Sequence, residues 1–511
     1  MSLASQSIAQ IIPDPNRPPL SSFVGRPIAS AAYTAQALLR SQKNILYTFH
    51  PDEISQPLGF RRVSMFKREF VRITDADLAK QVLVEHHRKQ DKGEVFRNFL
   101  KPTLGEGLLT AEGATWRRHR KLMNPAFHEA ALQNIADIID RRSAARVAQV
   151  QTACGNGGES QLNVSRFSSQ AAMDLAMNAL FSSDLAGREA QMSADMAMTL
   201  RLVRAPHLFD LIGLPRWVPR GQQDPQLIRA LGRVNSSLER VLYQRFAVAN
   251  DQGKAVPGAS AEQAPTPDLL SLMLAKPWPS APTDHANDEQ GLNADELRDE
   301  IFTMFAAGHE TTALAMGWAL TLLALHPQWQ EKAAQEAHLV VDPSQGSAFQ
   351  RARQAPILTS IINETLRLYP PASIIVRSAL EPMTLQFNGE DQLVEPGATL
   401  AIPIFILHRH PDYWAEPNAF EPALHFGGEA AKARPSHAFM PFGGGPRLCI
   451  GKHFAMIEAV LLLAHTLKQF EFLAPKPGSA QDQALAASMM PVARVTLRPT
   501  SDLVLSVRQR G

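Results

Sequence analysis

The stretch that decides the fold is Phe442-Gly443-Gly444-Gly445-Pro446-Arg447-Leu448-Cys449-Ile450-Gly451, which an apolar, helix-like segment follows directly. Its glycines let the backbone approach a large flat group closely, and Arg447 places a cation two residues before Cys449. The helix that follows directs the positive end of its dipole toward the sulfur. Backbone N–H donors and a helix N-terminus favour a metal-bound thiolate. The stretch therefore predicts a metal-binding cysteine, although a buried cysteine in a glycine-rich turn also fits.

The frame Phe-x-x-Gly-x-Arg-x-Cys-x-Gly resembles the haem-binding loop of the cytochrome P450 family, the haem-thiolate monooxygenases. The resemblance implies a haem b cofactor with the Cys449 thiolate as axial iron ligand, and it places Phe442 and Arg447 among the cofactor-binding residues. It also implies a mainly α fold with a small β region, in which a long central helix passes over the haem and the cysteine loop lies below.

A second unusual segment, Ala307-Gly308-His309-Glu310-Thr311-Thr312, lies in the middle of a long apolar pattern. The pattern starts after the capping signature Asn293-Ala294-Asp295-Glu296 and extends to about His326, where Pro327 ends it. This predicts a buried helix of about 30 residues, or about 45 Å. A glycine, a carboxylate and two threonines are unfavourable inside such a helix unless they are satisfied. The segment predicts a proton path, although a helix kink with a charge facing a water pocket also fits.

The same segment resembles the oxygen-activating sequence of the family, Ala/Gly-Gly-x-Asp/Glu-Thr. The resemblance implies that Thr311 stabilises reduced oxygen at the iron and that Glu310 relays protons. We therefore predict these two residues as catalytic. We predict that His309 and Thr312 have structural roles.

Glu364 and Arg367 lie three residues apart on one face of a predicted helix. Alone, such a pair is usually a surface salt bridge. With the Leu-Tyr-Pro-Pro-Ala that follows, it resembles the Glu-x-x-Arg signature of the family, which implies a buried structural pair that organises the surroundings of the cysteine loop. In the family a third member is an arginine from a Phe-x-Pro-x-Arg stretch. Here that region, 420–426, lacks the arginine, and His425 stands one residue later, so its participation is left open.

Trp116 and Arg120 lie one turn apart on another predicted helix, and both side chains donate hydrogen bonds. They resemble the Trp-x-x-x-Arg motif with which the family holds a haem propionate. The resemblance implies Arg377 and Arg447 as further propionate partners. Without it, Trp116 and Arg120 would be interpreted as a partly exposed aromatic ring beside a solvated charge.

The resemblance also implies O₂ and an apolar small molecule, such as a lipid or a terpenoid, as substrates. One oxygen atom of O₂ would enter the apolar molecule by hydroxylation or epoxidation. The predicted pocket draws on apolar side chains near the Trp116 helix, on the long helix, after the double proline and near the C-terminus. These residues, which are also ordinary core residues by type, are Phe96, Phe99, Leu100, Met304, Phe305, Ala372, Ile374, Ile375, Met489 and Met490.

The amino-acid composition limits the classes of function that the protein can have. The 511 residues are 45% hydrophobic and 20% charged, which suffices for a large core, and the net charge of +2 gives no reason to expect nucleic-acid binding. Two cysteines exclude a disulfide scaffold, and Cys154 is predicted to be a surface thiol. The N-terminal segment has no basic cluster followed by an apolar run. We therefore expect a soluble, bacterial-type cytoplasmic enzyme without a membrane anchor, with a lead-in segment at residues 1–50 and a single catalytic domain at 51–511.

The electron supply follows from the same reasoning. The chain ends about 60 residues after Cys449, so we expect no fused reductase and a separate ferredoxin or flavodoxin-type donor with its reductase. Arg117, Arg118, Lys121 and Lys452 would form a basic docking face for it, or simply a solvated surface.

Two other functions remain open at this stage. A peroxide-driven or rearranging haem-thiolate enzyme would typically lack the acid–alcohol pair that Glu310 and Thr311 form here. A non-catalytic haem protein that senses gas or carries electrons is the second alternative.

Overall fold

The computed structural model describes residues 44–48, 58–65, 68–154, 158–181, 189–202, 224–247, 270 and 292–510. Within these ranges most residues are helical. The helices are α1 Ala76–Lys80, α2 Glu94–Leu104, α3 Gly113–Met123, α4 Glu129–Cys154, α5 Val164–Phe181, α6 Glu189–Leu202, α7 Pro225–Ala247, α8 Ala294–Leu325, α9 Pro327–Val340, α10 Ala348–Arg353, α11 Pro356–Leu368, α12 Ile404–Leu407, α13 Pro422–Phe426, α14 Gly428–Ala433, α15 Lys452–Gln469 and α16 Ala480–Ser488.

The strands among the described residues are short and belong to four small sheets. They are β1 Phe60–Met65, β2 Arg68–Ile73, β3 Gln90–Asp91, β4 Ser160–Asn163, β5 Ile375–Ala379, β6 Met383–Phe387, β7 Glu390–Val394, β8 Thr399–Ile402, β9 Phe470–Leu473, β10 Pro491–Ala493, β11 Leu497–Pro499 and β12 Val504–Gln509. The largest sheet has the order β1-β2-β8-β5-β3, with only β2 and β8 parallel, and a second has the order β4-β12-β9. The predicted mainly α fold with a small β region is confirmed.

The long central helix α8 forms as its sequence predicts. Asn293 caps it through a complete capping box with Glu296, and it ends at Leu325, because Pro327 begins the next helix. Its strongest contacts are with α5, and it also packs against α11 and α15. Near its end, Trp318 stacks on Tyr369 at 3.9 Å between ring centroids. The helix is therefore fixed inside the largest hydrophobic core.

Some predicted boundaries differ from the structure. The short β-like run at 399–406 predicts one strand, but β8 stops at Ile402, because Pro403 has no N–H for the ladder and precedes helix α12. A second β-like run, at 492–498, predicts one strand where the structure has a hairpin of β10 and β11. The pattern over 75–86 predicts one helix, which changes after Lys80 into a wider helical turn, Gln81–Glu85. The composition of 251–291 predicts two surface loops around a short helix; these residues lie outside the described ranges except for Leu270, as does most of the predicted lead-in.

Candidate active site

The cysteine loop connects the end of a 3₁₀ turn to helix α15. The backbone N–H of Cys449 donates to the carbonyl of Phe442 at 2.9 Å, which closes the loop. Gly445 has a φ of +67°, and a Cβ built on it would lie 2.0 Å from the carbonyl oxygen of Leu83. Only glycine fits this position, because the loop touches the backbone of its neighbour.

The sulfur of Cys449 has accessible surface although protein surrounds it. A side chain that faces a cavity enclosed by protein would have both accessible surface and protein around it. Burial raises the pKa of the thiol, and the backbone N–H of Gly451, Arg120 and Lys452 oppose this effect without overcoming it. The helix end alone therefore does not ionise the thiol, and a bound cation would have to stabilise the thiolate.

A cluster of three cations, one buried and two half-buried, lies beside the loop. Lys92 is 7% exposed, and burial together with Arg447 and Arg377 lowers its pKa to about 7. Burial and Arg447 lower the pKa of Arg377 to about 10. The Nη1 atom of Arg447 is buried without a hydrogen-bond partner among the described residues. Glu112 pairs with Arg447 and accepts from the backbone N–H of Lys92. The other carboxylates that act on these cations, Asp91 and Glu300, pair with Arg97 and His119, so the positive charge is not balanced. The cluster therefore suits a ligand with carboxylate groups, as the two haem propionates are.

Trp116 and Arg120 take different positions in this cluster. The Arg447 guanidinium lies 4.3 Å from the centroid of the Trp116 ring, within the range of a cation–π interaction. Arg120 donates from Nη1 to the carbonyl of Leu448 at 2.9 Å, so it contacts the cysteine loop itself. Trp116 thus contacts Arg447, and Arg120 contacts the cysteine loop.

Sequence reasoning missed Lys92 and Glu112. Lys92 also donates from Nζ to the carbonyls of Leu108 at 3.0 Å and Leu109 at 2.5 Å, which fixes the loop before α3. Neither residue belongs to a spaced motif. Only the fold, which places the end of β3 beside the cysteine loop, could reveal them.

The middle of α8 borders open space. Ala307 is exposed and Thr311 is half-buried. Their neighbours Ala306, His309 and Glu310 are buried. Thr311 donates from Oγ1 to the carbonyl of Ala307 at 2.8 Å, the bond to the preceding turn that its position predicts. A threonine hydroxyl therefore stands at the edge of this space, inside an otherwise buried helix.

Glu310 has a partner that the sequence did not indicate. Its Oε1 accepts from Nη2 of Arg498 at 2.9 Å and from Oγ1 of Thr496 at 3.3 Å. Both partners belong to the β10–β11 hairpin or its turn, about 190 residues later in the chain. The carboxylate is therefore held by a cation on the side of this hairpin.

His309 and Gly308 serve packing. His309 is fully buried with Nε2 3.0 Å from the carbonyl of Ser169, and burial lowers its pKa. A Cβ on Gly308 would meet only Leu180 of α5, at an ordinary 3.7 Å. The small residue that opens toward the space is therefore Ala307, and the glycine faces the neighbouring helix.

The Glu364–Arg367 pair is completely buried and bidentate, with N–O distances of 2.7 and 2.8 Å. Arg367 also donates to the carbonyls of His408, Pro417 and Ala419. His425 places Nδ1 2.8 Å from Oε1 of Glu364 and thereby completes the network. Burial alone would raise the pKa of Glu364, but Arg367 and His425 hold it at about 2. The sequence left open whether His425 takes part in this network, and the contact with Glu364 shows that it does.

The predicted pocket residues divide into two groups. Ala372 is exposed and Ile374, Ile375, Phe96 and Phe99 are half-buried, so these residues have surface that a substrate can touch.

The second group needs a correction. Phe305 and Met489 have no exposed surface, and Leu100 has 2%; Phe305 instead stacks on His309 at 6.2 Å. Such side chains are core residues and cannot line a pocket. Met304, at 7%, contributes little, and Met490 is half-buried.

One of the four cations predicted to form the docking face is not accessible to a partner. Arg118 is buried and forms an ion pair with Glu296 at the start of α8. Arg117 and Lys121 are exposed, and Lys452 is half-buried. Of the four cations, three are therefore accessible to a partner.

Within the described ranges, no helix has both the length and the apolar character that crossing a membrane requires.

Comparisons with known proteins match most of the chain. A sequence profile described as Cytochrome P450 matches residues 49–496. Cytochrome P450 4F3 of Rattus norvegicus is 30% identical over 409 residues, which cover 79% of this chain and 75% of that protein. Cytochrome P450 4F12 of Homo sapiens is 30% identical over 75% of this chain and 71% of its own length. Leukotriene-B4 omega-hydroxylase 3 of Mus musculus is 29% identical over 79% of this chain and 75% of its length. The chain therefore belongs to the cytochrome P450 family.

Proposed function

We propose that this cytochrome P450 monooxygenase, whose cofactor is haem b, inserts one oxygen atom of O₂ into an apolar organic substrate by hydroxylation or epoxidation. The observation that carries the proposal is the sulfur of Cys449, which has accessible surface and extends from a loop in which only glycine fits at position 445. When bound, the haem supplies the iron that activates O₂ with electrons from a donor protein. The remaining roles belong to side chains of the chain itself.

Cys449 would be the axial ligand, and Phe442, whose carbonyl closes the loop, would fix the sulfur in place. Arg377 and Arg447 would bind the propionates, since both are half-buried cations in a cluster with more positive than negative charge. Trp116 would support Arg447 through its ring, and Arg120 would hold the loop at Leu448. Lys92 would join them as a third cation.

Thr311 and Glu310 would manage protons. The Thr311 hydroxyl stands at the open side of α8 and can donate a hydrogen bond there after releasing the carbonyl of Ala307. Glu310 would exchange protons with this region from its position beside Arg498. Glu364 and Arg367 would remain structural, because they are completely enclosed.

The substrate would be a lipid-like molecule with a long apolar chain. One relative is named for ω-hydroxylation of leukotriene B4, and the half-buried Phe96, Phe99 and Ile374 offer apolar surface for such a chain. A terpenoid is the other apolar class that these side chains suit.

A separate electron donor would bind at the accessible cations Arg117, Lys121 and Lys452. Ferredoxin and flavodoxin-type donors with their reductases are the proposed partners. Reconstitution with each, and with a flavoprotein reductase that uses NADPH, would identify the donor.

Several sequence expectations stay predictions. These are the soluble, cytoplasmic and bacterial-type character and the division into a lead-in and one domain. The relatives described above are mammalian proteins and do not favour a bacterial type. Fractionation of cells that express the chain would test the location.

The deciding experiment is turnover of a fatty-acid and terpenoid library under isotope-labelled O₂. We expect one labelled oxygen atom in the product when reductant and donor are supplied. Turnover with peroxide alone would instead indicate a peroxide-driven or rearranging enzyme. Haem binding with no product and no substrate-induced spectral change would indicate a sensor.

A further inference from the structure

A buried histidine connects the helix that carries Trp116 and Arg120 to the start of the long helix. His119 lies on α3 directly before Arg120, and its side chain has no exposed surface. Its Nδ1 lies 2.7 Å from Oε1 of Glu300, and its Nε2 lies 3.4 Å from Oε1 of Glu296. Both carboxylates belong to α8, where they are about one turn apart. The imidazole is therefore enclosed between two acids on one face of α8.

The charges of this group balance only when His119 carries a second ring proton. Glu296 also pairs with Arg118, whose guanidinium lies beside the imidazole. Glu300 is fully buried, and its Oε2 has no hydrogen-bond partner among the described residues. A neutral imidazole has one N–H and cannot donate to both acids, whereas an imidazolium donates from both nitrogens. The protonated form therefore places two cations opposite two carboxylates.

The surroundings of His119 favour this protonated form. Burial alone would lower the pKa of His119, but its hydrogen bonds with Glu296 and Glu300 raise the pKa above its usual 6.5. Burial would raise the pKa of Glu296, and His119 and Arg118 are among the groups that instead hold it at about 2. Lys92 acts on Glu300 from the segment after β3. The other charged side chains of α3 and of the start of α8 are exposed or engaged elsewhere: Arg117 and Lys121 at the surface, Arg120 with the cysteine loop, Asp295 and Asp299 with Arg298, and Glu106 with Lys101.

The position of His119 matters because of its two neighbours on α3. Trp116, one turn earlier, has its ring against the guanidinium of Arg447. Arg120, the next residue, donates to the carbonyl of Leu448 in the cysteine loop. The ion pairs of His119 hold this turn of α3 against α8, because a buried ion pair cannot exchange its partner for water. A shift of the turn would therefore displace both contacts together.

We propose that His119 is a positioning residue for the haem. As an imidazolium bonded to Glu296 and Glu300, it fixes α3 on α8. Through α3 it holds Trp116 and Arg120 in place, so the proposal rests on the haem contacts proposed above for these two residues. His119 acts through them and is not itself a catalytic residue.

The first test measures the haem contacts of the holoenzyme without turnover. The resonance Raman bands for bending of the haem propionates depend on the hydrogen bonds that the propionates receive. We expect these bands to shift in His119→Gln. Haem transfer to a haem-accepting globin should become about tenfold faster, which is typical when a residue behind a cofactor ligand is lost. Unchanged bands and an unchanged rate would overturn the proposal.

His465→Gln is the matched control. It breaks an ion pair of the same 2.7 Å length, between His465 of α15 and Asp140 of α4, sixteen residues after Cys449 in the chain. Its melting temperature should fall, while its propionate bands and haem transfer rate stay those of wild type. The same band shift in both variants would mean that loss of any buried histidine pair disturbs the haem, and would overturn the specific role of His119.

A double variant separates charge from packing. His119→Gln alone leaves the buried carboxylate of Glu300 without its hydrogen-bonded cation. Adding Glu300→Gln removes that charge and leaves two amides that can bond to each other, so the double variant should recover most of the lost haem retention. Release of haem as fast as in the single variant would overturn the proposal. If His119→Gln binds no haem, haem content replaces the rate: a double variant that regains haem supports the ion pairs, and one that does not overturns them.

The pH dependence identifies the proton. Because the pKa of His119 is raised in the folded protein, its contribution is complete below pH 6.5 and is lost as the pH rises through the higher value. Above pH 6.5, haem transfer should therefore accelerate more steeply with His119 and Glu300 intact than in the double variant. Both proteins carry Lys92→Met for this comparison, because the pKa of Lys92, about 7, lies in the same range. Identical pH profiles would overturn the proposal.

Trp116→Leu distinguishes this inference from the haem contacts on which it rests. Shifted propionate bands in Trp116→Leu, with wild-type bands in His119→Gln, would overturn the inference alone. Wild-type bands in both variants would contradict the proposed contact of Trp116 as well.

Discussion

At the scale of single residues, the site depends on polar side chains that a buried environment would normally exclude. Thr311 stands at open space within an apolar helix, and Lys92 is buried among other cations. Such groups are unfavourable for folding unless a partner satisfies them. Each should therefore show its role when it is replaced by a side chain without the polar group.

Thr311→Ala should retain haem but form less product for each reductant molecule consumed. The variant loses the hydroxyl at the edge of the open space, so fewer electrons should end in product, while the visible spectrum stays that of wild type. The measurement is product formed per reductant consumed. Thr321→Ala is the control, because Thr321 makes the same 2.8 Å bond to the preceding turn of α8 within the buried core. Equal coupling in both variants would contradict the assignment.

Lys92→Met should weaken haem binding about tenfold, or about 1.4 kcal/mol. One of the three cations beside the cysteine loop would be missing, so carboxylates of the cofactor would lose a counter-charge. The rate of haem transfer to a haem-accepting globin measures the change. Lys432→Met removes an exposed lysine paired with Glu429 and should leave the rate unchanged. Identical rates in the two variants would show that Lys92 is not a propionate partner.

At the scale of elements, the cysteine loop is positioned by two rigid neighbours. The turn at Gln81–Glu85 touches its glycines from one side, and α15 continues it on the other. Deeper in the fold, the Glu364–Arg367–His425 network fixes α11 to the segment that leads to the loop. Loop geometry therefore depends on contacts that lie far from it in sequence.

Gly445→Ala should prevent normal haem incorporation. The added Cβ would overlap the carbonyl of Leu83, and the positive φ adds about 1–2 kcal/mol of strain. Gly389→Ala is the matched control, since Gly389 also has a positive φ, +81°, but has no atoms near its Cβ position. Haem content and the melting temperature should fall far more in Gly445→Ala. Equal losses would mean that contact with Leu83 is unimportant.

The buried network of Glu364, Arg367 and His425 should make the free energy of unfolding depend on pH in the acidic range. The pKa of Glu364 is about 2 in the folded protein and 4.5 ordinarily, so below pH 4.5 the unfolded chain binds the proton first. Its contribution is present above pH 4.5 and is lost as the pH falls through about 2. The free energy of unfolding should therefore fall over this window.

The matched variant for this prediction carries both Glu364→Gln and Arg367→Met. It has no ionisable pair to lose, so its unfolding free energy should decrease less steeply in the same pH window. The same slope in variant and wild type would mean that the network does not govern the acid sensitivity.

At the scale of the whole molecule, the sequence predicted what depends on local pattern. The capping box and Pro327 set both ends of α8, and Pro356 set the start of α11, because caps and prolines act within one turn. Spaced motifs also indicated Cys449 and the Glu364–Arg367 pair. Contacts between distant segments could not be predicted in this way. The bond from Arg498 to Glu310, the position of Lys92 and the full burial of Phe305 all depend on the tertiary fold.

The central claim is that the sulfur of Cys449 binds haem iron. The difference spectrum of the reduced, CO-bound protein tests it most directly, because the position of its main band reports whether the ligand opposite CO is a thiolate. We predict the thiolate spectrum for wild type and its loss in Cys449→Ser. A thiolate spectrum that survives this replacement, or wild-type protein that binds no haem when the precursor is ample, would contradict the account.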